Sequence, residues 1–425
     1  MTALCVFEDD GWRRLLPLTY LRPLYELRCG TQSLAGRTLS RYPGTRAFLF
    51  CRGDLEEAAR VGSGLPVNER PAGPCLFVNG RALLNEPIPL DGEEEIGVCG
   101  DVLVYARLGV EKTGRIHPSL FIEEGLLAGG FARELEREGA RVVDADAHLI
   151  RYPWDLVTDN ARRIELDFFD RAATADTKPG RPVEGTVMKG AHLVEPSRIV
   201  IGKGSVVKPG SVLDATKGPI LVGENVTIYP NVSIEGPAFI GDQTLIKSGA
   251  TIYGGTSVGE VCKAGGEIES SIIHAFTNKQ HFGFLGHSYV GMWCNIGAGT
   301  STSDLKNNYS PIRVELEDGV VDSGLTFFGM VMGDHVKTGI HTMFNTGSVI
   351  GVMASVYGSG LPPKNIPSFS WVSPEGMSEY EPGKALVDAR KVMGRRSRVL
   401  TPSEERLLLA VYERTKAERR SRGVR

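Results

Sequence analysis

From Ile201 onward, large aliphatic residues return at every sixth position. Ile201, Val207 and Leu213 open the series and the insertion "KGPIL" interrupts it. Val222, Ile228, Ile234, Ile240, Ile246, Ile252 and Val258 then continue in one register. Two residues before most of these stands a small or β-branched side chain, such as Ser205, Ser211, Val226, Thr244 or Ala250. A period of six belongs neither to an α-helix nor to an ordinary strand. It suits a triangular prism in which each six-residue side turns one aliphatic inward and bends at Gly, Asn or Asp. Stacked coils then bury a continuous aliphatic column. Met332, Thr338, Phe344, Ile350 and Val356 resume the rhythm, so the pattern predicts such a coil over 186–372.

Upstream the texture is different. Short apolar runs ("RAFLF", "PCLFV", "DVLVYA") alternate with charged stretches ("DLEEAARVG", "FARELEREG"), which predicts buried strands mixed with amphipathic helices in an α/β domain over 1–150. The segment 152–173 reads as a helix with Asp155 or Thr158 as its cap and Ile164, Phe168 and Phe169 as its apolar stripe. It either ends the first domain or connects it onward; with the linker "TKPGRPVEG" it forms a connecting segment, 151–185. The extension 373–425 carries a capped amphipathic helix in "TPSEERLLLAVYERTKAERRSRGVR", with a basic end.

Between the two blocks of repeats, "SSIIHAFTNKQHFGFLGH" (270–287) breaks the register, and Val290 and Ile296 restart it. This predicts a loop thrown out from the coil with His281 on it, and loops on rigid scaffolds concentrate function. His287, in "GHSYVG", is expected at a packed or hydrogen-bonded corner. His335 and His341 are expected to face solvent or an interface.

Composition narrows the function. With 48 basic and 51 acidic residues the net charge is -3, which argues against a nucleic-acid binder. Seven scattered cysteines without a CxxC pair argue against a disulfide framework or a zinc site. No apolar run is long enough to span a bilayer, so no membrane role and a cytoplasmic location are expected.

Several motifs carry a resemblance. His281, Phe284 and Gly286 match a His-x-x-Tyr-x-Gly element except at the tyrosine, Asn295–Thr300 reads Asn-Ile-Gly-Ala-Gly-Thr, and Asn308-Tyr309 follows. These resemble the acetyltransferase half of the bifunctional N-acetylglucosamine-1-phosphate uridyltransferase/glucosamine-1-phosphate N-acetyltransferase family. "GFLGHSYVG", "SDLKN", "FNTG", "SFSW" and an early "LLPLT" are similar to a divergent bacterial branch of it. The resemblance implies a left-handed parallel β-helix of hexapeptide repeats, a homotrimer, and acetyl-CoA as donor. It implies His281 as general base, Asn308, Asn295 and Phe284 as sugar-binding residues, and Ala298 and Thr346 as contacts to acetyl-CoA. Lys247 stands where the family has a phosphate-binding arginine, and an ammonium suits phosphate as a point charge. Glu267 and Glu269 lie where the family's sugar-binding lysine and glutamate are expected.

The first domain is similar to sugar nucleotidyltransferases, with a Rossmann-like fold. The strand "ALCVF" precedes "EDDGWRRLLPLT", which places Arg14 at the arginine of their signature. Their glycine-rich loop is reduced to Gly11, and Leu24 stands where a lysine follows the proline. Asp9 and Asp10 are candidates to hold Mg2+, and Arg13, Arg14, Arg22 and Arg28 to meet phosphate. Asn79 replaces an expected metal-binding aspartate, and "YPWDL" with Asn160 resembles the end of such domains. The expected function is acetylation of an amino-sugar 1-phosphate, such as glucosamine 1-phosphate, and nucleotidyl transfer from an NTP such as UTP. The alternatives are a nucleotidyltransferase with a purely structural β-helix, and a non-catalytic sugar-nucleotide-binding regulator or scaffold.

Overall fold

Cys75–Asn79 is an apolar run buried at every position, the mark of a strand covered on both faces. In the computed structural model, which describes residues 2–122, 128–174 and 183–425, it lies inside a six-stranded mixed sheet. The strand order is Ala47–Phe50, Ala3–Phe7, Cys75–Asn79, Val102–Leu108, Glu95–Cys99, Arg141–Asp144. The first three run parallel, and Val102–Leu108 pairs antiparallel with Cys75–Asn79. Alternation divides these strands between two cores. Cys5, Phe7, Phe50 and Phe77 join Phe121 in one, where the Phe7 and Phe121 rings stack at 4.0 Å. Leu4, Leu76, Val78 and Val104 belong to the other. This sheet is the frame of the first of two units, Met1–Leu27 with Gln32–Tyr152; the second comprises Arg28–Thr31 and Pro153–Arg425.

The second unit is a parallel β-helix. Its three sides are two six-stranded sheets and one of nine strands, each stacking one short strand per coil. The predicted inward series is the core: from Ile201 to Val258 none of its members is more than 3 % exposed. Thr338, Phe344, Ile350 and Val356 are buried in the later coils as expected.

The predicted loop at 270–287 is not there. Ile272–Ile273, Asn278–Lys279 and Phe284–Gly286 continue the three sides in order, pairing with Ser257–Val258, Lys263–Ala264 and Glu267–Glu269. The register breaks because one corner is shortened to Gly265–Gly266, where the corner one coil earlier uses the four residues from Lys247 to Ala250. The chain leaves the prism later, over 303–327, in an excursion with a hairpin of Arg313–Leu316 and Gly319–Asp322.

Pro153–Thr174 is the predicted helix, but neither suggested cap serves as one. Thr158 lies inside the helix, donating from Oγ1 to the Trp154 carbonyl at 3.1 Å. Ile164 and Phe168 pack on Leu221 and Phe239 of the third side, whereas Phe169 is 58 % exposed, because a helix on one flat side buries only a narrow stripe. Asn160 fastens the helix: it accepts from Gly30 N–H at 2.7 Å and donates to the Gly255 carbonyl at 2.7 Å. Its role is thus architectural. The linker predicted after this helix lies largely outside the described residues. The C-terminal extension forms three helices, Pro382–Gly394, Pro402–Arg414 and Lys416–Ser421, instead of one. Thr401 and Glu404 make a capping box at the second. Among the described residues no helix is long and apolar enough to cross a membrane.

Candidate functional site

One edge of the prism gathers much of the predicted acetyl-transfer machinery. His281 is exposed in the corner Gln280–Gly283, between the first and second sides. Gly283 has φ +119° and a side chain there would strike the Thr300 carbonyl, so only glycine lets this corner stack under the next. The next corner is Gly297–Thr300, bound to His281's corner by Gly299 N–H donating to the Phe282 carbonyl at 2.9 Å. One coil further, His341 N–H donates to the Ala298 carbonyl at 2.7 Å, and the His341 ring meets Phe282 edge-on at 5.7 Å. The Ala298 N–H has no acceptor among the described residues, so it is open to a ligand.

On the second side, Glu267 pairs in register with Phe284, and Glu269 with Gly286. Both carboxylates and the Phe284 ring therefore lie within two rungs of His281's corner. Lys247 sits at the same edge, where Gly265 packs on its Cβ, and its ammonium lies 4.6 Å from the Tyr229 ring centre. Here the sequence reading missed a cluster of cations. Lys263 is the register partner of Asn278, whose Oδ1 accepts from Arg396 Nη2 at 2.7 Å. Burial, and then the charges of Arg396, Lys247 and Arg395, push the Lys263 pKa down. None of these four cations makes an ion pair with a carboxylate among the described residues. Such uncompensated charge is a place for phosphate. The C-terminal extension could not be assigned to it from sequence, since its arginines lie more than a hundred residues downstream.

Other candidates fall elsewhere. Asn295 is on the first side, bridging Asn278 and Lys337. Asn308 is exposed on the excursion, its Oδ1 accepting from Ser310 N–H. Thr346 is 1 % exposed with its hydroxyl on Asn345 Oδ1, so it does not present itself to acetyl-CoA. His287 is the hydrogen-bonded corner that was expected: Nδ1 lies 2.8 Å from Asp304 Oδ2, and the ring stacks on Phe327 at the base of the excursion. His335 departs from expectation, being 4 % exposed and stacked on Trp293, because its corner residues form a ladder of large side chains.

In the first unit the expected metal and phosphate residues are mostly engaged. The Asp9 carboxylate takes Arg81 Nε at 2.8 and 2.9 Å and the Asn79 amide nitrogen at 2.8 Å, and caps the short turn Asp10–Leu15 through Gly11 N–H. Arg81, which sequence reasoning overlooked, supplies the positive charge that Mg2+ was expected to bring. Asn79 turns its donor, not its oxygen, to Asp9, and among the described residues no three His, Cys, Asp or Glu side chains form a metal cluster. These residues, so arranged, do not fit Mg2+. Asp10 is half-buried, and burial followed by the neighbouring Asp9 charge raises its pKa. Arg22 is buried and donates to the Leu18 carbonyl at 3.1 Å. Arg28 belongs to the second unit, where its guanidinium is forked onto Glu260 at 2.6 and 2.8 Å and so is already engaged by a carboxylate. Of the predicted phosphate ligands, Arg14 is the exposed one and Arg13 is half-exposed.

Bifunctional protein GlmU of Methanococcus maripaludis is 32% identical over 226 residues, 52% of this chain and 46% of that protein. Bifunctional protein GlmU of Methanococcus vannielii is 33% identical over 169 residues, 36% of this chain and 40% of that protein. A bifunctional sugar-1-phosphate nucleotidylyltransferase/acetyltransferase of Sulfurisphaera tokodaii is 28% identical over 174 residues, 35% of this chain and 43% of that protein. All three are archaeal, and the chain spans less than half the length of each of these curated relatives. Residues 4–174 match the family of sugar nucleotidyl transferases.

Proposed function

We propose that the β-helix is an N-acetyltransferase acting on an amino-sugar 1-phosphate, with glucosamine 1-phosphate as the acceptor and acetyl-CoA as the donor. The observation that carries this reading is the exposed His281 one corner below the unengaged Ala298 N–H. A neutral imidazole is matched to removing a proton from an attacking amine near neutral pH. As the sugar nitrogen bonds to the thioester carbonyl carbon, His281 takes its proton and the carbonyl oxygen gathers negative charge. The Ala298 N–H donates to that oxyanion, and collapse expels the CoA thiolate. Lys247, Lys263 and Arg396 offer phosphate-binding charge on the adjoining side. The edge is open on a single chain, which supports a homotrimer in which a second copy covers it; sedimentation of a fully active monomer would overturn that arrangement.

The first unit is proposed to transfer a nucleotidyl group from an NTP, UTP in the first instance, to the acetylated sugar phosphate. Its match to the sugar nucleotidyl transferase family supports this. Arg13 and Arg14 would draw the triphosphate by charge. The buried Asp9–Arg81 pair favours a second reading for this unit alone, in which it binds the nucleotide sugar without turnover. Product analysis by mass spectrometry, offering several NTPs and sugar phosphates with and without acetyl-CoA, tests both. Acetylated sugar phosphate without nucleotide sugar selects the second reading, and no acetylated product at all overturns the first proposal.

A further inference from the structure

The first side of the prism turns Val207, Ile228, Ile246 and Ala264 inward in successive coils, and then Lys279. Lys279 is 2 % exposed, in a column whose other large side chains are apolar. An ammonium in such a place is costly unless its donors are satisfied. Nζ donates to the Gly265 carbonyl at 2.9 Å and to the His281 carbonyl at 2.7 Å. Neither carbonyl accepts a main-chain hydrogen bond among the described residues. The reason lies in the stacking. A two-residue corner, Gly265–Gly266, sits under a four-residue corner, Gln280–Gly283, and their carbonyls cannot pair as equal corners do. Gly266 keeps the space clear, since a side chain there would come within 2.8 Å of Nζ.

We propose that Lys279 is a positioning residue: its buried ammonium holds the main chain of His281, and so sets where the imidazole meets the bound amine. The assignment rests on the acetyl-transfer reading. It acts through His281 and touches no substrate. Burial pushes the Lys279 pKa down to about 8, with the Glu267 carboxylate as the one charge opposing that shift. The clamp is therefore charged at neutral pH. An aliphatic side chain would fill the column equally well and leave the His281 carbonyl without a donor.

The experiment measures thiol release from acetyl-CoA with glucosamine 1-phosphate for wild type, Lys279→Met, Lys279→Gln, His281→Ala and the double variant Lys279→Met/His281→Ala. A displaced base costs on the order of a hundredfold, so Lys279→Met should lower kcat by about ten- to a hundredfold while both KM values stay within about threefold. Lys279→Gln, which keeps a neutral donor, should recover part of that loss. In the His281→Ala background, Lys279→Met should change the residual rate by less than about twofold, because residues acting as one unit are not additive. A kcat near wild type in both single Lys279 variants overturns the proposal. So does an equal further loss in the double variant, or failure of both single variants to fold, which would make the lysine a requirement of the fold alone. If wild type releases no thiol, the acetyl-transfer reading itself fails; if wild type and His281→Ala behave as proposed and the Lys279 variants do not, only this assignment falls.

Discussion

The interior of the α/β unit and the inward column of the β-helix treat charge in opposite ways. In the α/β unit, Asp9 meets Arg81 and Glu8 meets Arg52, each pair nearly inaccessible to solvent. In the β-helix the column is aliphatic, small hydroxyls bridge the corners, and the charged candidates stand outside on the sides and edges. Lys279 is the exception. A scaffold that repeats can present chemistry on its surface without disturbing its core, whereas the first unit has built Asp9 and Asn79 into its interior. Charge that elsewhere would await a ligand is there already neutralised.

The sharpest test of that contrast is His281→Ala. Loss of a general base costs about a hundred- to ten-thousandfold in rate, and since His281 is exposed, melting temperature and oligomeric state should not move. An accompanying loss of stability would erase the distinction between surface chemistry and buried core. Arg81→Ala probes the other side. It leaves Asp9 as an unpaired buried carboxylate, which costs about 3–5 kcal/mol, and urea unfolding of the N-terminal transition should show it. Arg81→Ala with unchanged unfolding would mean that the pair is not neutralising anything. Ile246→Ala, in the middle of the column, should cost about 2–5 kcal/mol through its cavity, read as a lower denaturation midpoint of the β-helix with the first unit unaffected.

Lys279 gives a smaller and pH-dependent signal. Its pKa is about 8 in the folded chain and roughly 10.4 unfolded. Between those values the unfolded chain binds more protons, so stability rises with pH there, by about 3 kcal/mol in all. Below pH 8 both states are charged and the penalty is constant. Wild type compared with Lys279→Met across pH 7.5 to about 10 should show the gain in wild type only; parallel stability curves would show that the lysine is not desolvated.

These differences also explain what the sequence could and could not disclose. The six-residue period exposed nearly every inward residue of the prism, because each coil repeats the same local geometry. It misplaced one loop because a two-residue deletion at Gly265–Gly266 and a true excursion both look like a lost register. His281 was found by its motif and lies at a coil corner, not on a protruding loop. Lys263 and Arg396 escaped notice because they meet through a long-range return of the chain. In the first unit Arg81 was invisible for a similar reason: it completes Asp9 across two neighbouring strands, 72 residues apart, and nothing local marks the pair.

The last rungs of the β-helix have a consequence of their own. After Ser370–Ser373 the chain turns back as Gly376–Glu379, an antiparallel strand on a parallel stack. Tyr412 then meets Phe369 edge-on at 5.4 Å, and Arg419 donates to the Ser368 carbonyl. A solenoid is a ladder with open rungs at its ends, and identical open ends invite filaments. Reversing the final strand and laying helices against it gives the stack a terminus that another molecule's first coil cannot match, so the same hairpin that ends the repeat also fixes the length of the particle.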